Sequence, residues 1–395
     1  LADAQSRFLR LLAVSIRFST RRRLALFPNN LRLFLMSSVP ASSYPRLVGD
    51  IGGTNARFAT LAAPGAPLRN VLTVACADFP SLGDAIEHYL VTTGAPRPRW
   101  AAIGIATAVV SDEVRMTNHH WSFSIVQLKA RLGLAHLQVI NDFTALAMAL
   151  PGLAADELER VGGGHAESGS AITLLGAGTG LGVSGLMPCR DGYVPITGEG
   201  GHVTLAAATA REAAVIAILA EQFPHVSAER VLSGPGLSHL HMALAQLDGR
   251  TPERLRPEVI SGRGVDGSSA ECTATLDVFC AMLGTVAANL ALVLGSRGGV
   301  YIGGGIVPQL GRYFAQSPFR ARFEQKGRFS QYLANIPTFV IRAPYPGLTG
   351  AARFLDNDAL FSVSAATADA QADTSMAAGL STRHTITTEI ISTPA

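Results

Sequence analysis

Short apolar runs set apart by glycine-bearing turns recur along the chain from residue 47 onward. Residues 47–51 and 56–62 read as two strands joined through Gly52-Gly53, a hairpin, and 71–75 continues the sheet. Ser81 is placed to cap a helix whose apolar positions Ile86, Tyr89 and Leu90 fall at helical spacing. The run 100–110 is almost wholly apolar, as a buried strand would be. A further strand, 137–140, leads directly into Asn141-Asp142, with a helix expected from near Thr144. Pro151-Gly152 breaks that helix and marks a lobe boundary. Beyond a glycine-rich loop at 162–170, strands are expected at 171–175, 183–187 and 300–302, and a long helix at 273–294 ending on Gly295. Strands that alternate with helices make this an α/β protein. After Leu355 the pattern is lost, and 364–395, rich in Ala, Ser and Thr, reads as a disordered tail.

Composition narrows this picture. A chain of 395 residues with 48% hydrophobic content can bury two or three domain-sized cores. The net charge of +3 misleads, because residues 1–45 carry seven Arg against Asp3 alone. Without that segment the body holds 25 basic and 28 acidic residues, so neither a nucleic-acid partner nor an anionic membrane surface is expected. The Arg- and Ser-rich leader has the look of a transit peptide. Because the first methionine is Met36, an upstream misassigned start is the favoured reading. Cys76, Cys189, Cys272 and Cys280 form no Cys-x-x-Cys pair, which points away from disulfides and zinc and toward a reducing cytoplasm. The 19 uncharged residues 278–296 approach membrane-spanning length, yet their Gly, Ala, Thr and Asn content suits a buried core helix better.

The candidate chemistry begins with a doubled turn. Asp50-Ile51-Gly52-Gly53-Thr54-Asn55 and Gly176-Ala-Gly178-Thr179-Gly180-Leu-Gly182 are glycine hairpins on opposite halves of the chain. Such turns aim backbone N–H groups and a hydroxyl at one point, which suits phosphate. Two copies imply a polyphosphate held between two lobes. A dinucleotide-binding turn would run from strand into helix, whereas 176–182 lies between two strands. The two lysines, Lys129 and Lys326, follow no glycine loop, so a Walker motif is excluded. Gly178 is expected to need a positive φ or a close approach to phosphate. Asp142, at the end of a buried strand, is either an active-site acid or the cap of the next helix. Glu199, His202 and Glu229 add groups suited to reading several hydroxyls at once.

With these residues in view, the chain resembles the bacterial-type glucokinases, part of the superfamily that includes actin and the heat-shock ATPases. The likeness spans about 46–356. It rests on LVGDIGGTNARF (47–58), MTNHHW (116–121), INDFTA (140–145), GAGTGLG (176–182), GEGGH (198–202), ERVLSGPG (229–236) and GGGIVP (303–308). The resemblance implies a two-lobed actin-like (ribonuclease H-like) fold with its active site in the interdomain cleft, and transfer of the γ-phosphoryl of ATP to the 6-hydroxyl of glucose, the first step of glycolysis. It makes Asp142 the catalytic base and Asn141, Glu199, His202 and Glu229 glucose ligands. The hairpins Asp50 to Asn55 and Gly176, Gly178, Thr179 and Gly180 would hold ATP phosphates, with Gly303, Gly304 and Gly305 beside the adenosine. Mg²⁺ would be held mainly through the phosphates and oriented by Asp50, with no dedicated protein metal site, and the protein would be a cytoplasmic homodimer. The implied division is a leader 1–45, a small domain 46–150 plus about 343–358, a large domain 151–342, and a tail 359–395. One departure is Thr107-Ala108, where the family has a proline-containing turn. Two rivals are a hexosamine kinase or regulator of the repressor-and-kinase type, which carries a cysteine-rich zinc motif, and a non-catalytic sugar sensor. No cysteine falls between 189 and 272.

Overall fold

Two mixed sheets built on one plan carry the molecule. The computed structural model describes residues 43–190 and 192–357, so the expectations for 1–42 and for 359–395 lie outside the described residues. The first sheet takes β1 (Arg46–Ile51), β2 (Asn55–Leu61) and β3 (Arg69–Ala75). Helix α1 (Leu82–Thr93), capped by Ser81, leads to β4 (Trp100–Ile105). A small ribbon of β5 (Glu113–Arg115) and β6 (Ser122–Ser124), then α2 (Ile125–Arg131), precede β7 (His136–Asn141) and α3 (Asp142–Ala149). The order is β3-β2-β1-β4-β7, with the first three strands antiparallel and β1, β4 and β7 parallel.

The second half comprises β8 (Leu158–Val161), β9 (Ile172–Ala177), β10 (Leu181–Cys189) and β11 (Gly192–Thr197). After these come α4 (Ala210–Ala220), α5 (Gly234–Leu247), α6 (Pro257–Val265) and α7 (Ala270–Leu294). Strand β12 (Val300–Gly303), short helical turns within 307–334, β13 (Thr338–Ile341) and α8 (Pro346–Phe354) complete it. Its sheet runs β11-β10-β9-β12-β13-β8. An antiparallel meander is again followed by two parallel strands, with β8 added antiparallel at the edge.

Helices α3 and α8 join the two halves. Ala145 packs with Val48 and Ala102 of the first sheet and with Leu348 and Ala351 of α8, while Leu146 and Met148 pack with Ile172, Leu174 and Leu186 on the second sheet. A Cβ at Gly350 would collide with the Ala145 carbonyl, so only glycine lets the two helices come this close. Helix α7, with Ser269 capping one end and left-handed Gly295 the other, buries most of its length in the second core, as a core helix rather than a membrane span does.

Three boundaries differ from expectation. The run 100–110 is a strand only to Ile105, because β1 and β7, its partners, end at Ile51 and Asn141 in register with that residue. Helix α3 begins at Asp142, since Asn141 supplies the cap. The folded body also reaches back past residue 46: Ser43 is fully buried and accepts hydrogen bonds from the Arg46 guanidinium.

Candidate active site

Asp142 occupies the first turn of α3, directly after Asn141, the last residue of β7. Asn141 Oδ1 caps the helix by accepting from the N–H groups of Phe143 at 2.9 Å and Thr144 at 3.2 Å. The Asn141 amide also donates to Asp142 Oδ1 at 3.0 Å, and the Phe143 N–H reaches the same oxygen at 2.9 Å. The capping role is therefore taken by Asn141, with the Asp142 carboxyl accepting the Phe143 N–H beside it. Burial foremost, then the Asp50 carboxylate and more weakly Glu199, push the Asp142 carboxyl up to about 6 against the pull of the backbone N–H groups. Asp50, on β1, is itself raised by burial, with Arg57 opposing the shift through a 3.3 Å contact between Nη1 and Oδ2. Gly347, at the start of α8, lies on that carboxylate: a Cβ there would come within 3.0 Å of Asp50 Cγ.

The two glycine hairpins are braced differently. In the first, Gly52 donates to Asn55 O at 2.9 Å, Cys76 N donates to Thr54 O at 2.8 Å, and Gly53 faces Asn118. In the second, Gly176 leaves room for the backbone of Gly303, which a Cβ would approach to 2.6 Å. Ile306 N donates to Ala177 O at 3.0 Å, and Gly234 N, at the start of α5, donates to Gly178 O at 2.7 Å. Gly304, at φ 78°, could not carry a side chain without striking Ala177 O. The structure thus gathers Gly176, Gly178, Thr179, Gly180, Gly303, Gly304 and Gly305 into one patch. The expected positive φ belongs to Gly304, not to Gly178, whose nearest neighbour for a Cβ is Gly305 N at 3.7 Å. Of the two expectations for Gly178, the positive φ is corrected: the turn closes by its N–H donating to Gly180 O at 2.8 Å, without left-handed backbone.

Glu199, His202 and Glu229 sit on two segments that run side by side. The turn 199–202 closes with His202 N donating to Glu199 O at 3.0 Å, and Ala228 N donates to Val203 O at 2.9 Å in the adjoining segment. Glu199 and His202 are exposed and Glu229 half-buried, as groups meeting a soluble ligand would be. Glu229 Oε2 accepts from Leu181 N at 2.8 Å, which bonds it to the exit of the second hairpin. Thr107, in place of the proline turn, holds its loop with its hydroxyl, donating to Arg115 O at 3.0 Å and lying 3.1 Å from Thr117 Oγ1. Its carbonyl accepts from the Asn141 amide at 3.4 Å.

Three contributors escaped the sequence reading. Ser233-Gly234-Pro235-Gly236 carries an N-cap and an early proline, a legible helix start, but nothing in the order of residues places it beside the hairpin at 178. Arg57 and Gly347 act on Asp50 across strand pairing and chain-terminal packing, which no local pattern encodes.

Two halves with the same core strand order, glycine hairpins in both and a half-buried carboxylate at the base of the joining helix define a two-lobed actin-like phosphotransferase fold. The comparisons narrow this class. The glucokinase family model matches residues 47–358. The glucokinase of Aromatoleum aromaticum is 58% identical over 80% of this chain and 96% of its own length, and that of Chromobacterium violaceum 52% identical over 81% and 92%. The crystal structure of a glucokinase from an Antarctic psychrotroph aligns with a TM-score of 0.72 at 39% identity, covering 79% of this chain and 99% of that one. The chain belongs to the glucokinase family.

Proposed function

We propose that the chain transfers the γ-phosphoryl of ATP to the 6-hydroxyl of glucose, giving glucose 6-phosphate, with Asp142 as the general base. The observation that carries this reading is the Asp142 carboxyl. It stands at the start of the joining helix, where Asn141 supplies the cap, and is pushed up to about 6, so it is ionised near neutral pH yet basic enough to take a proton. As the sugar oxygen attacks the γ-phosphorus in line, its proton passes to Asp142 while the β–γ bridging bond breaks and ADP leaves. A positioned base contributes roughly 10²–10⁴-fold. Alignment and N–H groups on the transferring oxygens supply the larger part.

Asn141, Glu199, His202 and Glu229 are assigned to the sugar hydroxyls. Asp50, Ile51, Gly52, Gly53, Thr54 and Asn55 together with Gly176, Gly178, Thr179 and Gly180 are assigned to the phosphates, and Gly303 to Gly305 to the nucleoside. Asp50 would orient Mg²⁺, since a single carboxylate beside phosphates suits that ion, which when bound would neutralise charge on the nucleotide. The domains follow the packing: α8 lies on β1 and β4, which supports 46–150 plus 343–358 as one lobe and 151–342 as the other. A homodimer working in the cytoplasm completes the reading. ADP release measured over a panel of hexoses tests it. Glucose should give the highest kcat/KM. Preference for an N-acetylated hexosamine would transfer the chain to the rival kinase class, and sugar binding without ADP release would make it a sensor.

A further inference from the structure

One residue at the exit of the second hairpin, Leu181, holds both sugar-side segments through its N–H and its carbonyl. The Leu181 N–H donates to Glu229 Oε2 at 2.8 Å, and the Leu181 carbonyl lies so close to Gly201 that any Cβ there would overlap it. A Cβ at Gly180 would strike the same Glu229 oxygen. The next residue, Gly182, receives the ring of Phe143, immediately after Asp142. A ring of bonds closes through α5. Ser233 Oγ donates to Glu229 O at 2.8 Å and accepts from Gly236 N at 3.1 Å, and Gly234 N donates to Gly178 O at 2.7 Å. At Gly201 the neighbour is the Leu181 backbone carbonyl, so a shift of the hairpin there cannot be absorbed by rotating a side chain, whereas Gly180 and Gly182 meet the side chains of Glu229 and Phe143.

We propose that the Leu181 backbone is a positioning element that couples the two substrates. Phosphate on 178–180 fixes the Leu181 N–H, which engages Glu229 Oε2 and leaves Oε1 aimed at a sugar hydroxyl. The carbonyl of the same residue seats the 199–202 turn. Glucose and ATP therefore each bind more tightly when the other is present, by one reciprocal factor. This rests on the assignment of Glu229 to the sugar.

Calorimetry of glucose binding, with and without the non-hydrolysable analogue β,γ-imido-ATP and Mg²⁺, tests it. The wild type should show a gain of about fivefold or more, at the lower end of typical coupling. A gain near one overturns the proposal. Gly201→Ala should weaken glucose and bring the factor near one, with analogue affinity in the absence of glucose held within about twofold. An unchanged factor in a folded Gly201→Ala protein also overturns it. Should that variant fail to fold, Ser233→Ala carries the test, because it opens the ring at Glu229 O while leaving the hairpin and carboxylate in place. Its factor should fall as well, and a wild-type factor there refutes the coupling. Glu229→Gln separates the two ideas. Unchanged glucose affinity without nucleotide removes the sugar assignment itself, whereas weakened glucose with full coupling removes only the positioning role.

Discussion

The two halves place equivalent strand positions at their hairpins and fill them in opposite ways. In the first, the pair one step in from the turn is Asp50 opposite Arg57; in the second it is Gly176 opposite Gly182. The first pair is an ion pair at 3.3 Å whose carboxylate acts on Asp142. The second pair is two absences of side chain, one making room for the backbone of Gly303 and the other for the ring of Phe143. One topology thus serves two tasks. The first half supplies a carboxylate that acts on Asp142, and the second supplies space in which a neighbouring segment comes close.

The largest effect should come from the charged side of this contrast. Asp142→Asn keeps shape and, because Asn141 already caps α3, leaves the helix start intact. Its kcat should fall by at least roughly 10²-fold, within the 10²–10⁴ range of a lost general base, with glucose affinity largely kept. Near-wild-type kcat would show that charge at this point does no catalytic work.

Next comes the space-filling side. Gly304→Ala combines a left-handed φ of 78° with overlap on Ala177, and should cost on the order of 2–4 kcal/mol of stability. Gly53→Ala, whose Cβ would stand 3.1 Å from the Asn118 side chain, should lower Tm far less. Equal melting-temperature losses would erase the distinction between the two hairpins.

The strained carboxylate predicts a pH effect with a definite sign. Burial pushes the Asp142 carboxyl up to about 6 in the folded protein, above its ordinary value of 3.8, so folding favours its protonated form. The resulting penalty is full above about pH 6 and disappears as pH falls toward the unfolded pKa. Without nucleotide, Asp142→Asn should therefore melt above the wild type near neutral pH, by an amount worth at most about 3 kcal/mol, and the gap should close by about pH 4. A pH-independent gap would mean that Asp142 is not held against its charge.

The smallest effect sharpens the view of the second turn. Gly178 has ordinary backbone and open space beside it, so Gly178→Val should preserve Tm. It should raise the ATP KM by about tenfold, well beyond any change in the glucose KM, if the open space is where phosphate sits. A large loss of Tm, or equal changes in both KM values, would reduce this glycine to a simple turn.

Much of this protein was legible in its residues. Short apolar runs and glycine turns marked β1, β2, β3, β4, β7, β9, β10 and β12 as strands, because apolar content and turn chemistry are local properties. The doubled hairpins and Asp142 at a strand end pointed to phosphate and to an acid, since those groups have few other uses in such settings. Boundaries were another matter. Strand β4 stops at Ile105 because its neighbours stop there, and apolarity continues to residue 110 regardless. Asn141 and Asp142 are both good caps in sequence, and only the folded geometry divided the roles between them. Arg57 on Asp50, Gly347 beneath it, Gly234 against Gly178 and Leu181 against Glu229 join segments from 7 to 297 residues apart or meet across the two halves. Local pattern records which conformations a stretch of chain prefers. Which distant backbone comes within hydrogen-bonding distance is settled by packing of the whole body, and here that packing built the site.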